Sequence, residues 1–76
     1  MVDSGRTPAA AGGWDPSADD VRILQLLSEG HTTDVIARRV GLSERTVRRR
    51  LRTIADEIGV DSTIEAVVYA VRARLI

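Results

Sequence analysis

Cysteine and lysine are absent from this chain of 76 residues, histidine occurs once, and the aromatics are reduced to Trp14 and Tyr69. Each shortage removes a class of explanation. Without cysteine, neither a disulfide frame nor a thiolate metal site can staple a small fold. His31, the single histidine, excludes a zinc site built from several imidazoles. The longest apolar runs fall far short of the ~20 residues that a membrane span needs. One arginine near the N-terminus has no hydrophobic segment behind it, so no signal peptide is expected and the sequence reads as cytoplasmic. Carboxylates are not paired in an evident pocket, and Gly12-Gly13 is too isolated to be a phosphate loop. Neither catalysis, a cofactor nor a metal is therefore expected. A chain this short buries only about 60% of the surface its unfolded form exposes. Helix packing and association with a partner remain as the ways to hold it together.

Net charge is also lacking: eleven arginines balance eleven acids. The balance hides a segregation. Residues 1–37 hold two cations and six anions, and residues 53–76 hold two cations and four anions. Between them, residues 38–52 hold seven arginines and one acid, Glu44. A basic block between acidic flanks is a localised electrostatic footprint, which a near-neutral isoelectric point conceals.

Residues 1–14 begin with "MVDSGRTPAAAGG", rich in small residues and without periodicity, and are expected to be a disordered lead-in. Trp14 is expected either to tuck against the first helix as a lid, the favoured reading, or to stand exposed. Residues 15–76 are expected to form one all-α domain of four helices, at about 17–29, 33–40, 44–58 and 63–75. Asp15 or Ser17 caps the first, Pro16 suits its first turn, and Asp19 and Asp20 complement the positive end of its dipole. Val21, Ile23, Leu24, Leu26 and Leu27 give it a wide apolar stripe, and Gly30 ends it. Thr32 or Thr33 caps the second helix, whose apolar residues are Val35, Ile36, Ala37 and Val40. Gly41 stops it, and Ser43 caps the third.

On that third helix, at about 100° per residue, Val47, Leu51, Ile54 and Ile58 fall within roughly 60° of one another. Arg45, Arg48, Arg49 and Arg52 gather on the opposite side, with Arg50 on a flank. The fourth helix carries two stripes: Ile64, Val67, Val68, Val71 and Leu75 on one side, and Ala66, Tyr69, Ala70 and Ala73 roughly opposite. A second stripe suggests a partner. Side-chain size alone turns the Val/Ile/Leu stripe toward the core.

The segment "TDVIARRVGLSERTVRRRL" joins the second and third helices with spacings that have a physical reason. Two helices crossing at roughly 90–120° need a small residue where their backbones approach, and Ala37 supplies one. The turn needs a residue tolerant of positive φ, and Gly41 has no Cβ to clash. Ile36, Val40, Leu42, Val47 and Leu51 fill the wedge. These positions together signal a helix-turn-helix.

The stretch from Ile23 to Ile76 resembles the DNA-binding domain of LuxR-type (NarL/GerE-type) transcription regulators. "IARRVGLSERTV" stands for that family's "IA..L..S..TV", "ILQLLSEG" is similar to the helix before it, and "IGVDS" with "EAVVYA" to the turn and fourth helix. The resemblance implies that the helix after Ser43 enters the major groove of double-stranded DNA. It places Arg48, Arg49 and Arg52 at base-reading positions. Thr32, Thr33, Ser43, Arg45 and Thr46 stand where backbone phosphates are contacted, and Arg50 is added to these as a flanking cation. The fourth helix resembles the one through which such domains pair. A homodimer, formed on DNA if not before, is expected through Ile64, Val67, Val68, Val71 and Leu75; the family pattern turns Ala66 and Ala70 inward, against the reading from side-chain size, so which stripe meets the partner stays open. Asp34 stands where the family commonly has lysine, Arg50 for a frequent histidine, Glu57 for a lysine, Thr63 for an arginine and Asp20 for a glutamate. These departures bear on the operator sequence and binding strength rather than the fold.

The expected function is that of a transcription regulator's effector domain, binding inverted half-sites in a sequence-specific manner. Arginine suits this task, because it bonds bidentately to O6 and N7 of guanine. The alternative is a protein-interaction module, whose arginine face meets an acidic partner such as a sigma factor or RNA polymerase. RNA fits less well, since no aromatic lies on the basic face to stack a base.

Overall fold

A computed structural model describes residues 14–76, and the segment before Trp14 lies outside the described residues, as does most of the expected lead-in. The chain forms four helices, with no strand among the described residues: α1 (Ala18–Ser28), α2 (Thr33–Val40), α3 (Glu44–Ile58) and α4 (Thr63–Arg72). α1 and α3 each pack against the other three helices, while α2 and α4 flank them without touching each other.

A hydroxyl caps every helix N-terminus, because each leaves backbone N–H groups without an intrahelical acceptor. Ser17, Thr32, Ser43 and Ser62 accept from the N–H groups of Asp20, Val35, Thr46 and Glu65. At α1 the cap is reciprocal, since the Asp20 carboxylate accepts from the Ser17 N–H at 3.3 Å. Pro16 consequently precedes the cap rather than opening the first turn. At the other ends, Gly30, Gly41 and Gly59 take φ of +95°, +77° and +87°. This left-handed step lets Leu42 N–H reach back to the Ala37 carbonyl at 3.0 Å and reverses the chain between α2 and α3.

α4 ends three residues earlier than its apolar pattern suggests. Arg74 adopts φ +61°, and the Leu75 N–H closes onto the Ala70 carbonyl at 2.9 Å while Arg74 N–H bonds Val71. This is the hydrogen-bond pattern of a Schellman stop, made here without glycine.

The core consists of Ile23, Leu24 and Leu26 of α1, Ile36 and Ala37 of α2, and Val47, Leu51, Ile54 and Ile58 of α3, joined by Ala66 and Ala70 of α4. Side-chain size misjudges the orientation of α4. Ala66 and Ala70 are fully buried, whereas Ile64, Val68, Val71 and Leu75 are 67%, 45%, 52% and 37% exposed. Small residues allow α4 to approach α1 and α3 closely, and the bulky aliphatic residues are left outside. Val67 separates from those four and packs, half-buried, against the core. Ala73, assigned to the small stripe, is exposed.

Trp14 is half-buried and packs against the core, and its aromatic partner belongs to α4. Its ring meets Tyr69 edge-on, at 5.5 Å between centroids and 67° between planes. The indole Nε1 is buried without a hydrogen-bond partner among the described residues.

Candidate nucleic-acid interface

The α2–turn–α3 unit sets where the arginines point. Ile36, Ala37, Val47 and Leu51 are buried between the two helices. With Val47, Leu51, Ile54 and Ile58 turned inward, the opposite side of α3 must face solvent. Arg45, Arg48, Arg49 and Arg52 stand there, all exposed, and with Glu44 they line one shallow groove. Among the described residues, Arg45, Arg49 and Arg52 have no carboxylate partner; the ion pairs formed there involve other cations. The Arg52–Asp56 pair that sequence spacing permits is not among them. A stripe of four planar cations, three of them without a carboxylate partner among the described residues, suits a polyanion with hydrogen-bond acceptors in a groove.

Arg50 belongs elsewhere. Its guanidinium reaches across to α1 and donates to Asp20 Oδ1 at 3.2 Å, in a partly buried ion pair. Asp20 thus serves twice, capping its own helix and tying α1 to α3. Sequence reasoning placed Arg50 among the phosphate contacts because nothing local reveals a partner thirty positions away.

The remaining expected contacts cluster at the N-termini of α2 and α3. Thr32 and Ser43 are the caps of these helices. The Ser43 hydroxyl donates to Thr46 Oγ1 at 2.9 Å, which ties the two side chains together at the start of α3. Thr33 is engaged instead: its hydroxyl donates to Glu44 Oε2 at 2.7 Å. The same oxygen accepts from an Arg48 terminal nitrogen at 2.8 Å. Glu44 therefore bridges the two helices and holds one of the arginines. The sequence contained half of this signal, since glutamate four residues before arginine is the favourable order for a helical ion pair. Thr33 could be added only once the turn had brought α2 alongside α3.

His31 lies half-buried in the α1–α2 loop, with Nε2 at 3.5 Å from Glu29. No group of three or more potential metal ligands occurs among the described residues, and no helix there is long and apolar enough to cross a membrane.

Comparison with known proteins agrees with this geometry. Residues 21–63, from within α1 to the start of α4, match the homeodomain-like domain family. The chain is also 35% identical, over 57 residues, to the transcriptional regulatory protein YdfI of Bacillus subtilis (strain 168). That alignment covers 75% of this chain and 27% of the relative, so the chain spans about a quarter of the relative's length. No solved structure matches. With the matched segment containing the whole α2–turn–α3 unit, the chain belongs to the homeodomain-like helix-turn-helix DNA-binding domains and is related to a transcriptional regulator.

Proposed function

We propose that this domain reads double-stranded DNA in a sequence-specific manner, with α3 in the major groove, as the effector part of a LuxR-type transcription regulator in the cytoplasm. The observation that carries the reading is the exposed stripe of Arg45, Arg48, Arg49 and Arg52, held outward by the buried opposite face of α3. In this reading Arg48, Arg49 and Arg52 contact base edges, and guanine is the favoured base because its O6 and N7 accept both arms of a guanidinium. Arg45, near the helix start, contacts phosphate with Ser43, Thr46 and Thr32. Pairing through α4 sets two such helices about 34 Å apart, on inverted half-sites.

A titration against an arbitrary-sequence duplex, followed by fluorescence anisotropy across a salt series, tests the reading. Each neutralised phosphate contributes about −0.9 to the slope of log K against log salt, so a slope of about −4 or steeper is expected. Arg49→Ala should then cost roughly 1–3 kcal/mol on a selected site and relax preference at one base position. Arg45→Ala should instead weaken binding to all duplexes alike. Absence of binding at low salt would assign the arginine face to an acidic protein partner such as a sigma factor or RNA polymerase.

A further inference from the structure

We propose that Glu44 is a specificity-determining residue, which buttresses Arg48 for guanine and holds down affinity for arbitrary sequence. The inference rests on the reading of α3 as the helix that enters the major groove.

Two pairs with the same i,i+4 order show why Glu44 differs from an ordinary surface acid. Asp34 and Arg38 on α2 meet at 3.4 Å with side chains 62% and 70% exposed, a solvated pair of little consequence. Glu44 meets Arg48 at 2.8 Å and is less exposed, at 39%. A second helix also holds the Glu44 carboxylate, through the Thr33 hydroxyl at 2.7 Å. The anchored carboxylate occupies one terminal nitrogen of Arg48 and restricts its rotamers. The rest of the planar guanidinium stays available to a bidentate acceptor. A side chain fixed before binding loses less entropy on binding, so its preferred contact is favoured over weaker ones.

Charge acts in the same direction. Among the described residues, Glu44 is the only acid lining the groove with the four arginines. Its negative charge opposes phosphates wherever the domain lands, whereas the oriented Arg48 helps only where guanine is present. One carboxylate therefore lowers non-specific affinity and preserves specific affinity, widening the ratio that matters in a genome.

The test compares Glu44→Ala, Glu44→Gln and Thr33→Val with the wild-type chain, on an arbitrary duplex and on one selected from a random pool by the wild type. Single-base variants of the selected duplex are scored to read preference at each position. Glu44→Ala should bind the arbitrary duplex several-fold more tightly and lose about tenfold of its preference at one guanine, the loss expected for a single bidentate contact. Glu44→Gln retains an acceptor for Thr33 and Arg48, so it should tighten arbitrary binding but keep most of the preference. Thr33→Val should fall between wild type and Glu44→Ala. Placed on an Arg48→Ala background, Glu44→Ala should leave preference unchanged. Unaltered preference in Glu44→Ala, or the same loss with Arg48 already removed, would overturn the inference about Glu44 alone. A melting temperature lowered together with equal weakening on every duplex would also overturn it, by making Glu44 purely structural. Failure of the wild type to bind any duplex would overturn the DNA reading and this inference with it.

Discussion

Gly41 holds φ +77° with nothing within 4 Å of where a Cβ would stand, so a side chain there would meet no neighbour. The backbone alone resists substitution. Gly41→Ala should therefore destabilise the domain by about 1 kcal/mol, the usual excess of an L-residue in the left-handed region. Arg74 is the converse, since it already bears that strain at φ +61° in the stop after α4. Arg74→Gly should stabilise by up to about 1 kcal/mol, less the entropy that glycine adds to the unfolded chain. Urea unfolding of the two variants tests both signs, and a stabilising Gly41→Ala would show that φ at the turn is not positive in solution. The two sites also show what sequence alone can reveal. Glycines 30, 41 and 59, and the hydroxyls before each helix, mark ends by chemistry that few other residues share. Arg74 carries no such mark. Its conformation is set by the Leu75 and Ala70 backbone groups that close the stop, not by its own preference.

α3 was legible throughout as an element, because a single apolar face leaves one way to bury it. α4 has two faces that compete, and size is a poor guide when a close helix contact demands small side chains. Ala66 is fully buried where α4 packs on α1 and α3. Ala66→Leu should therefore overpack this contact and cost about 1–3 kcal/mol. Ile64→Ala, on the outer face, should change monomer stability by no more than about 0.5 kcal/mol. Equal losses from the two substitutions, measured by denaturant unfolding at low protein concentration, would mean that the outer stripe is also covered in the monomer. The arginine stripe was legible for the same reason as the core beneath it: one face of α3 determines the other. The partners of Arg48 and Arg50 were only half legible or illegible, because Thr33 and Asp20 reach them across helix contacts that no local spacing encodes.

At the scale of the whole molecule, the described residues leave two surfaces for partners once the core has formed: the arginine stripe of α3 and the aliphatic stripe of α4. Ile64, Val68 and Val71 recur at helical spacing along one exposed face of α4, with Leu75 exposed just beyond its stop, and that arrangement suits a second copy about a two-fold axis, where each residue meets its counterpart or a neighbour. A small domain that protrudes one recognition helix reads few bases, so pairing on inverted half-sites multiplies what it can distinguish. Val68→Glu places two like charges near such an axis and disfavours pairing, while leaving the monomer core intact. On a single half-site the variant should bind nearly as tightly as wild type, with any general electrostatic penalty visible there. On the palindromic duplex, wild type should saturate at two proteins per duplex with cooperativity, and Val68→Glu should lose the cooperative gain. Sedimentation would decide the stoichiometry. One wild-type protein per palindrome at saturation would sink the dimer and leave the α4 stripe to a different partner, whereas equal losses on half-site and palindrome would attribute the effect of Val68→Glu to charge rather than to pairing.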